Sequence, residues 1–221
     1  LDVNYSPQES GGRLRFQVAC GMAGKALGDA FEVYDCNLSG QYGDANEIVD
    51  DQITKYDVKD TIRFVDLDGV IVGNSRQALP WSSVLPMAGG FQRATFSPDG
   101  AQVTLRKLNL ETGFIKLDLA AAVQPTYLVV EEVDRLPGAF FNVVPLKKGG
   151  VVEVPAGTYR VLCGRLQAGS KTSMKVARIY QGHSRPFDVA TGATYTLALG
   201  APYTLQSDSK IEGKEMIVDG R

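Results

Sequence analysis

The sequence holds one histidine, one tryptophan and three cysteines. No C-x-x-C pair occurs among Cys20, Cys36 and Cys163. That argues against a zinc centre built on thiolates, whose ligands usually come in such pairs. The three thiols read as small buried hydrophobes, with a Cys20–Cys36 pairing left open. Excess positive charge is also missing: 23 Lys and Arg stand against 25 Asp and Glu, for a net charge of −2. With no basic stripe, nucleic-acid binding has no electrostatic footprint. No apolar run reaches the ~20 residues that a membrane-spanning helix needs. The lone His183 sits in Gln-Gly-His-Ser-Arg-Pro, a loop by composition, and no G-x-S-x-G nucleophile elbow accompanies it. Helical periodicity is scarce as well. Only Val84 to Phe91 and Leu110 to Val123 come near it, and glycine, proline or an equal fit to a strand undercuts both.

What the chain does have is alternation punctuated by turns. Leu14, Phe16 and Val18 alternate with Arg13, Arg15 and Gln17, and Phe31 and Val33 alternate with Glu32 and Tyr34. Gly21 to Gly28 reads as a glycine-rich connection between these two strands. Asp68-Gly69, Ser97-Pro98-Asp99-Gly100, Glu111-Thr112-Gly113, Pro137-Gly138, Pro155-Ala156-Gly157 and Ala190-Thr191-Gly192 read as turns joining hairpins. Turn signals at about eight- to twelve-residue spacing predict an all-β sandwich or barrel with little helix. Ala120 to Pro125 is the best boundary. It gives two sandwich halves in tandem, an N-terminal β domain over 1–122 and an immunoglobulin-like sandwich over 123–221. Glu153 to Tyr159 and Asp188 to Tyr195 share an acid, a valine, a turn with glycine and a tyrosine, and Leu110 to Phe114 is a looser copy. These predict one common hairpin geometry.

The stretch with recognisable chemistry runs from Asp35 to Glu47. Side-chain oxygens fall at alternate positions, Asp35, Asn37 and Ser39, and Gly40 follows where a loop wrapping a cation must turn. Asp44 and Glu47 close it. A hard cation such as Ca2+ takes about six to eight oxygens, which this pattern can supply. The loop resembles the calcium loops of EF-hand and dockerin proteins. Carried over position by position, the resemblance implies metal ligands from Asp35, Asn37 and Ser39 and from the backbone carbonyl of Gln41. The twelfth place holds Asn46 instead of a bidentate acid; Asp44, Glu47 or Asp50 could substitute. The competing reading is a metal-free loop in which Asp, Asn and Ser bond to their own backbone.

Two further resemblances enter. Pro-Ala-Gly-Thr-Tyr-Arg-Val, followed by Phe187-Asp188-Val189 and Tyr195-Thr196-Leu197, looks like the hairpins of carboxypeptidase-regulatory-like and transthyretin-like sandwiches over about residues 125 to 206. Those modules are common on exported bacterial proteins, which implies a sandwich without implying catalysis. Phe64-Val65-Asp66-Leu67-Asp68-Gly69-Val70 resembles the nucleophile motif of haloacid-dehalogenase-like phosphatases. That family needs a doubly wound parallel sheet with crossover helices, which the strand pattern here does not provide. An Asp-Gly hairpin turn is the preferred reading. Trp81, between Pro80 and Ser82, reads as a core plug; with Tyr42 or Tyr56 it is the alternative platform for stacking a sugar.

The expectation is therefore a non-catalytic, exported structural or binding module with a structural calcium site. It would be secreted, periplasmic or on the cell surface, and would meet a protein or glycan partner. Leu1 in place of an initiator methionine accords with a removed leader. A carbohydrate-binding module and a hydrolase are the alternatives.

Overall fold

A computed structural model describes residues 2–5, 16–35, 41–43, 68–73, 79–97, 102–119, 123–147, 149–169, 173–180, 185–199, 207–212 and 215–220. Among them every regular element is a strand, so the chain is all-β. The first eight strands are β1 (Asp2–Tyr5), β2 (Phe16–Ala26), β3 (Asp29–Asp35), β4 (Gly69–Val72), β5 (Leu79–Pro80), β6 (Leu85–Met87), β7 (Gly90–Phe96) and β8 (Val103–Lys107). Then come β9 (Thr112–Leu119), β10 (Val123–Glu132), β11 (Phe140–Asn142), β12 (Val151–Pro155) and β13 (Gly157–Ala168). The last are β14 (Lys175–Tyr180), β15 (Phe187–Val189), β16 (Thr194–Leu199), β17 (Ser207–Glu212) and β18 (Glu215–Gly220).

The chain divides into two compact units, one of residues 1–111 with 131–142 and the other of 112–130 with 143–221. The units interleave along the sequence, where composition placed a single division between 122 and 123.

In the first unit, β1 to β5 form one antiparallel sheet in chain order, and β6, β7 and β8 form a second. Each sheet offers an apolar face. Phe31 and Val33 of β3 and Val70 of β4 meet Leu85 and Met87 of β6 around Trp81, and Ala94, Phe96, Val103 and Leu105 extend the core. The 131–142 segment is fastened to this unit by two serines. Buried Ser82 donates through Oγ to the Val84 carbonyl and accepts from Phe140 N–H at 2.9 Å, and Ser83 N–H donates to the Gly138 carbonyl.

Two of the turn readings change here. β2 runs on through Gly21 and Gly24 to Ala26, and the turn is Leu27-Gly28, with both residues at positive φ. Gly21 lies opposite Tyr34, and a Cβ there would come within 2.9 Å of the Tyr34 ring. The glycine serves close packing inside a strand, not a loop. Asp68-Gly69 is likewise no hairpin turn. Gly69 is paired on both sides, to Tyr34 of β3 and to Pro80 of β5, so it lies mid-sheet.

In the second unit, β12, β9 and β16 form one sheet, with β16 parallel to β9. β10, β13 and β14 lie side by side in another, and β15 pairs with the start of β13. A two-stranded sheet of β17 and β18 ends the chain. The repeated motifs therefore do not make hairpins. Residues 155–157 carry the chain from the β12 sheet to the β13 sheet, and residues 190–193 carry it back from β15 to β16. The three copies meet instead. Thr112 Oγ1 donates to Glu153 Oε1 at 2.7 Å, Thr158 Oγ1 donates to Asp188 Oδ1 at 2.8 Å, and Gly192 N–H donates to the Thr112 carbonyl at 2.8 Å. Tyr159 is fully buried, and its hydroxyl donates back to the Pro155 carbonyl at 2.6 Å, locking the crossing strand. Its ring continues into a stack with Phe187 and Tyr195.

Cys163 is a free thiol buried in β13. Loss of hydration raises its pKa from 9.0 to about 12, because the buried site disfavours the thiolate. The neutral thiol's contribution to stability is thus fully present below pH 9.0 and is lost as pH rises toward 12. In native protein at pH 8, iodoacetamide should leave the Cys163 peptide unmodified by mass spectrometry, and denaturant should expose it to full alkylation.

Candidate functional site

The site begins where β3 ends. Phe31, Val33 and Asp35 alternate inward along that strand, so period two turns Asp35 toward the same side as the apolar core, and it is buried. β4 pairs antiparallel with β3, with Phe31 opposite Val72, Val33 opposite Val70 and Tyr34 opposite Gly69. The pairing ends at Tyr34–Gly69, and Asp35 and Asp68 each stand one residue beyond it on their two chains. Asp68 has no accessible surface.

Both side chains are buried beside the last pair of the ladder. Two motifs that the sequence presents as separate, the acidic loop and the Asp-Leu-Asp-Gly run, are thereby brought to one end of one core.

Asp68 is also the clasp for the chain beyond β3. Its Oδ2 accepts the Gly43 N–H at 2.6 Å, and its own carbonyl accepts the Trp81 N–H at 2.6 Å. Gly43 lies at φ +77 between Phe96 and Trp81, and a Cβ there would come within 3.0 Å of both rings. Tyr42 rests on Phe96, with ring centroids 5.8 Å apart, and Phe96 in turn meets Trp81 at 5.3 Å. The 41–43 segment is thus folded back over the carboxylate end of the core.

Of the expected ligands, Asp35 and Gln41 are described, Asp35 buried and Gln41 exposed. Asn37, Ser39, Asp44 and Glu47 lie outside the described residues, as do Asp66, Tyr56, Cys36 and His183. Among the described residues no three aspartates, glutamates, cysteines or histidines gather at one point. Trp81 is 4% exposed, so its ring is a core plug and offers no face for stacking a sugar. The doubly wound sheet that a haloacid-dehalogenase-like motif requires is not the fold here, since strands alone make up the described elements.

Sequence reasoning missed Glu132. This glutamate is 1% exposed, and its carboxylate accepts the backbone N–H groups of Asp134, Arg135 and Leu136. An acid directly ahead of Val-Asp-Arg-Leu-Pro-Gly, a segment rich in turn residues, was the available signal.

No helix among the described residues is long and apolar enough to cross a membrane. Comparisons with protein-family models, with curated proteins and with solved structures give no match, so the functional reading rests on the geometry.

Proposed function

We propose that the chain is a non-catalytic β-sandwich module, exported to the periplasm, cell surface or medium, whose first unit is closed by a structural Ca2+. The observation that carries this reading is the burial of both Asp35 and Asp68, each one residue beyond the Tyr34–Gly69 pair, where the acidic stretch begins. Asp35 and Asp68 supply the charged oxygens, and Asn37, Ser39, Gln41, Asp44 and Glu47 are the further donors within the same loop. Calcium converts mutual repulsion among these acids into shared coordination. A loop poor in apolar anchors is then held by the ion and by the Gly43–Asp68 hydrogen bond. In the second unit, the chain's crossings between two sheets and the Tyr159–Pro155 lock support an immunoglobulin-like sandwich of the carboxypeptidase-regulatory or transthyretin type.

Calcium at roughly ten millimolar, above the ~millimolar dissociation constants of extracellular sites, should raise the melting temperature of metal-free protein. The gain follows RT ln(1 + [L]/Kd), about 2.7 kcal/mol at a hundredfold excess over Kd. Magnesium, smaller and strictly octahedral, should do less. Asp35→Asn should abolish the calcium response. An unchanged melting temperature in wild type, with Asp35→Asn equally stable, removes the metal from the account.

A further inference from the structure

The second unit holds an unbalanced set of charges. β13 and β14 carry no aspartate or glutamate, and neither does β10 from Val123 to Val130. β13 and β14 do carry Arg160, Arg165, Lys175 and Arg178. Arg165 lies directly opposite Arg178 in the antiparallel register, so the two guanidinium stems rise from the same face. Like charges placed so are destabilising unless something negative joins them. The acids on strands paired to β13 are Glu131 and Glu132 at the end of β10 and Asp188 of β15; Glu132 accepts backbone N–H groups of the following turn, and Asp188, opposite Thr158, accepts that residue's hydroxyl.

Charged side chains on an edge strand such as β14 can serve to block sheet-to-sheet aggregation. That explains Lys175 and Arg178, which are exposed. It does not explain Arg165, which lies on an interior strand of the sheet and is only partly exposed. The Nε of Arg165 is shut off from solvent and has no acceptor among the described residues. A buried donor left without a partner costs on the order of 1–3 kcal/mol, more for a charged group, so the position calls for an acceptor from outside.

We propose that Arg165 and Arg178 form a binding site for a sulfate or phosphate group. The partly exposed guanidinium of Arg165 donates to two oxygens of the group, the fork geometry in which arginine binds oxyanions most tightly. Arg178 closes over it from the edge strand and supplies the second charge. No bond is made or broken. The group is either a free anion or one carried on a polymer such as a sulfated polysaccharide.

The test is thermal unfolding of the intact chain titrated with sodium sulfate, sodium phosphate or dextran sulfate, against sodium chloride at matched ionic strength. Wild type should show a saturable rise in melting temperature with sulfate and phosphate beyond that in chloride. Arg165→Lys keeps the charge but loses the fork, and its apparent affinity should fall roughly tenfold or more. Arg178→Gln should lose the anion response while melting no lower than wild type in chloride, because a repulsive neighbour has gone. That second variant separates lost binding from lost folding. Dextran sulfate acting at far lower sulfate concentration than the free ion assigns the site to a polymer, and equal potency assigns it to the free anion. A sulfate response no larger than that of chloride, or one unaltered in both variants, overturns the proposal.

Discussion

Glu132→Ala is expected to destabilise the first unit by about 3–5 kcal/mol, one of the largest losses that any single truncation in this chain should cause. The carboxylate is buried and receives three consecutive backbone N–H groups from the turn that leads into β11. Alanine leaves these part-buried donors without their acceptor, and an unsatisfied donor costs up to about 1–3 kcal/mol. The same turn sets Gly138 and Phe140 against Ser83 and Ser82, so its loss also loosens the 131–142 segment. Glu132→Gln retains one carbonyl oxygen but turns an NH2 toward the remaining donors. It should lose less, about 2 kcal/mol. Urea unfolding followed by Trp81 fluorescence reports on this unit, because Trp81 is the chain's only tryptophan and lies in its core. A Glu132→Ala midpoint indistinguishable from wild type would show that the N–H groups are satisfied otherwise.

Trp81→Ala should cost a comparable 3–5 kcal/mol, through lost apolar burial and the cavity left behind. Its indole is central to the cluster that joins the two sheets, and Phe96 and Gly43 lose their packing surface with it. Circular dichroism replaces fluorescence as the readout for this variant. The result also separates the two roles weighed for the tryptophan. A core plug yields a large fall in the unfolding midpoint. An exposed sugar platform would leave stability within roughly 0.5 kcal/mol of wild type, as surface substitutions usually do.

Strand alternation was the part of the fold most legible in the sequence. Phe31 and Val33 face inward as period two requires, and β7 pairs antiparallel with β8, with Ser97 N–H donating to the Gln102 carbonyl just past the last pair. Pairing was much less legible, because turn chemistry tells where a chain bends and not which strand it then joins. Gly113 shows why. As a turn residue it suggested a hairpin, yet it lies within β9, where a Cβ would approach the Ala190 carbonyl to 2.5 Å. Its smallness serves close approach between crossings, and that need depends on residues almost eighty positions away. Gly69 misled in the same way, since Asp-Gly is a strong hairpin signal but here enters a central strand.

At the candidate site, Asp35 was visible through its spacing from Asn37 and Ser39. Asp68 was visible only as part of a different motif, because the link between the two is a strand register across some thirty residues, which no local pattern encodes. The charge opposition of Arg165 and Arg178 was hidden for the same reason. Each arginine is unremarkable in its own strand, and only the β13–β14 register sets one against the other.

Terbium luminescence tests the central claim most directly, because Tb3+ takes oxygen ligands as Ca2+ does and is sensitised by a nearby indole. Trp81 is the only tryptophan, and its backbone N–H is bonded to the Asp68 carbonyl. Excitation of Trp81 should produce Tb3+ emission that saturates, is displaced by Ca2+, and disappears in Asp35→Asn and Asp68→Asn variants that remain folded. Emission that is absent, or that persists unchanged in both variants, would show that no ion is held between these two carboxylates.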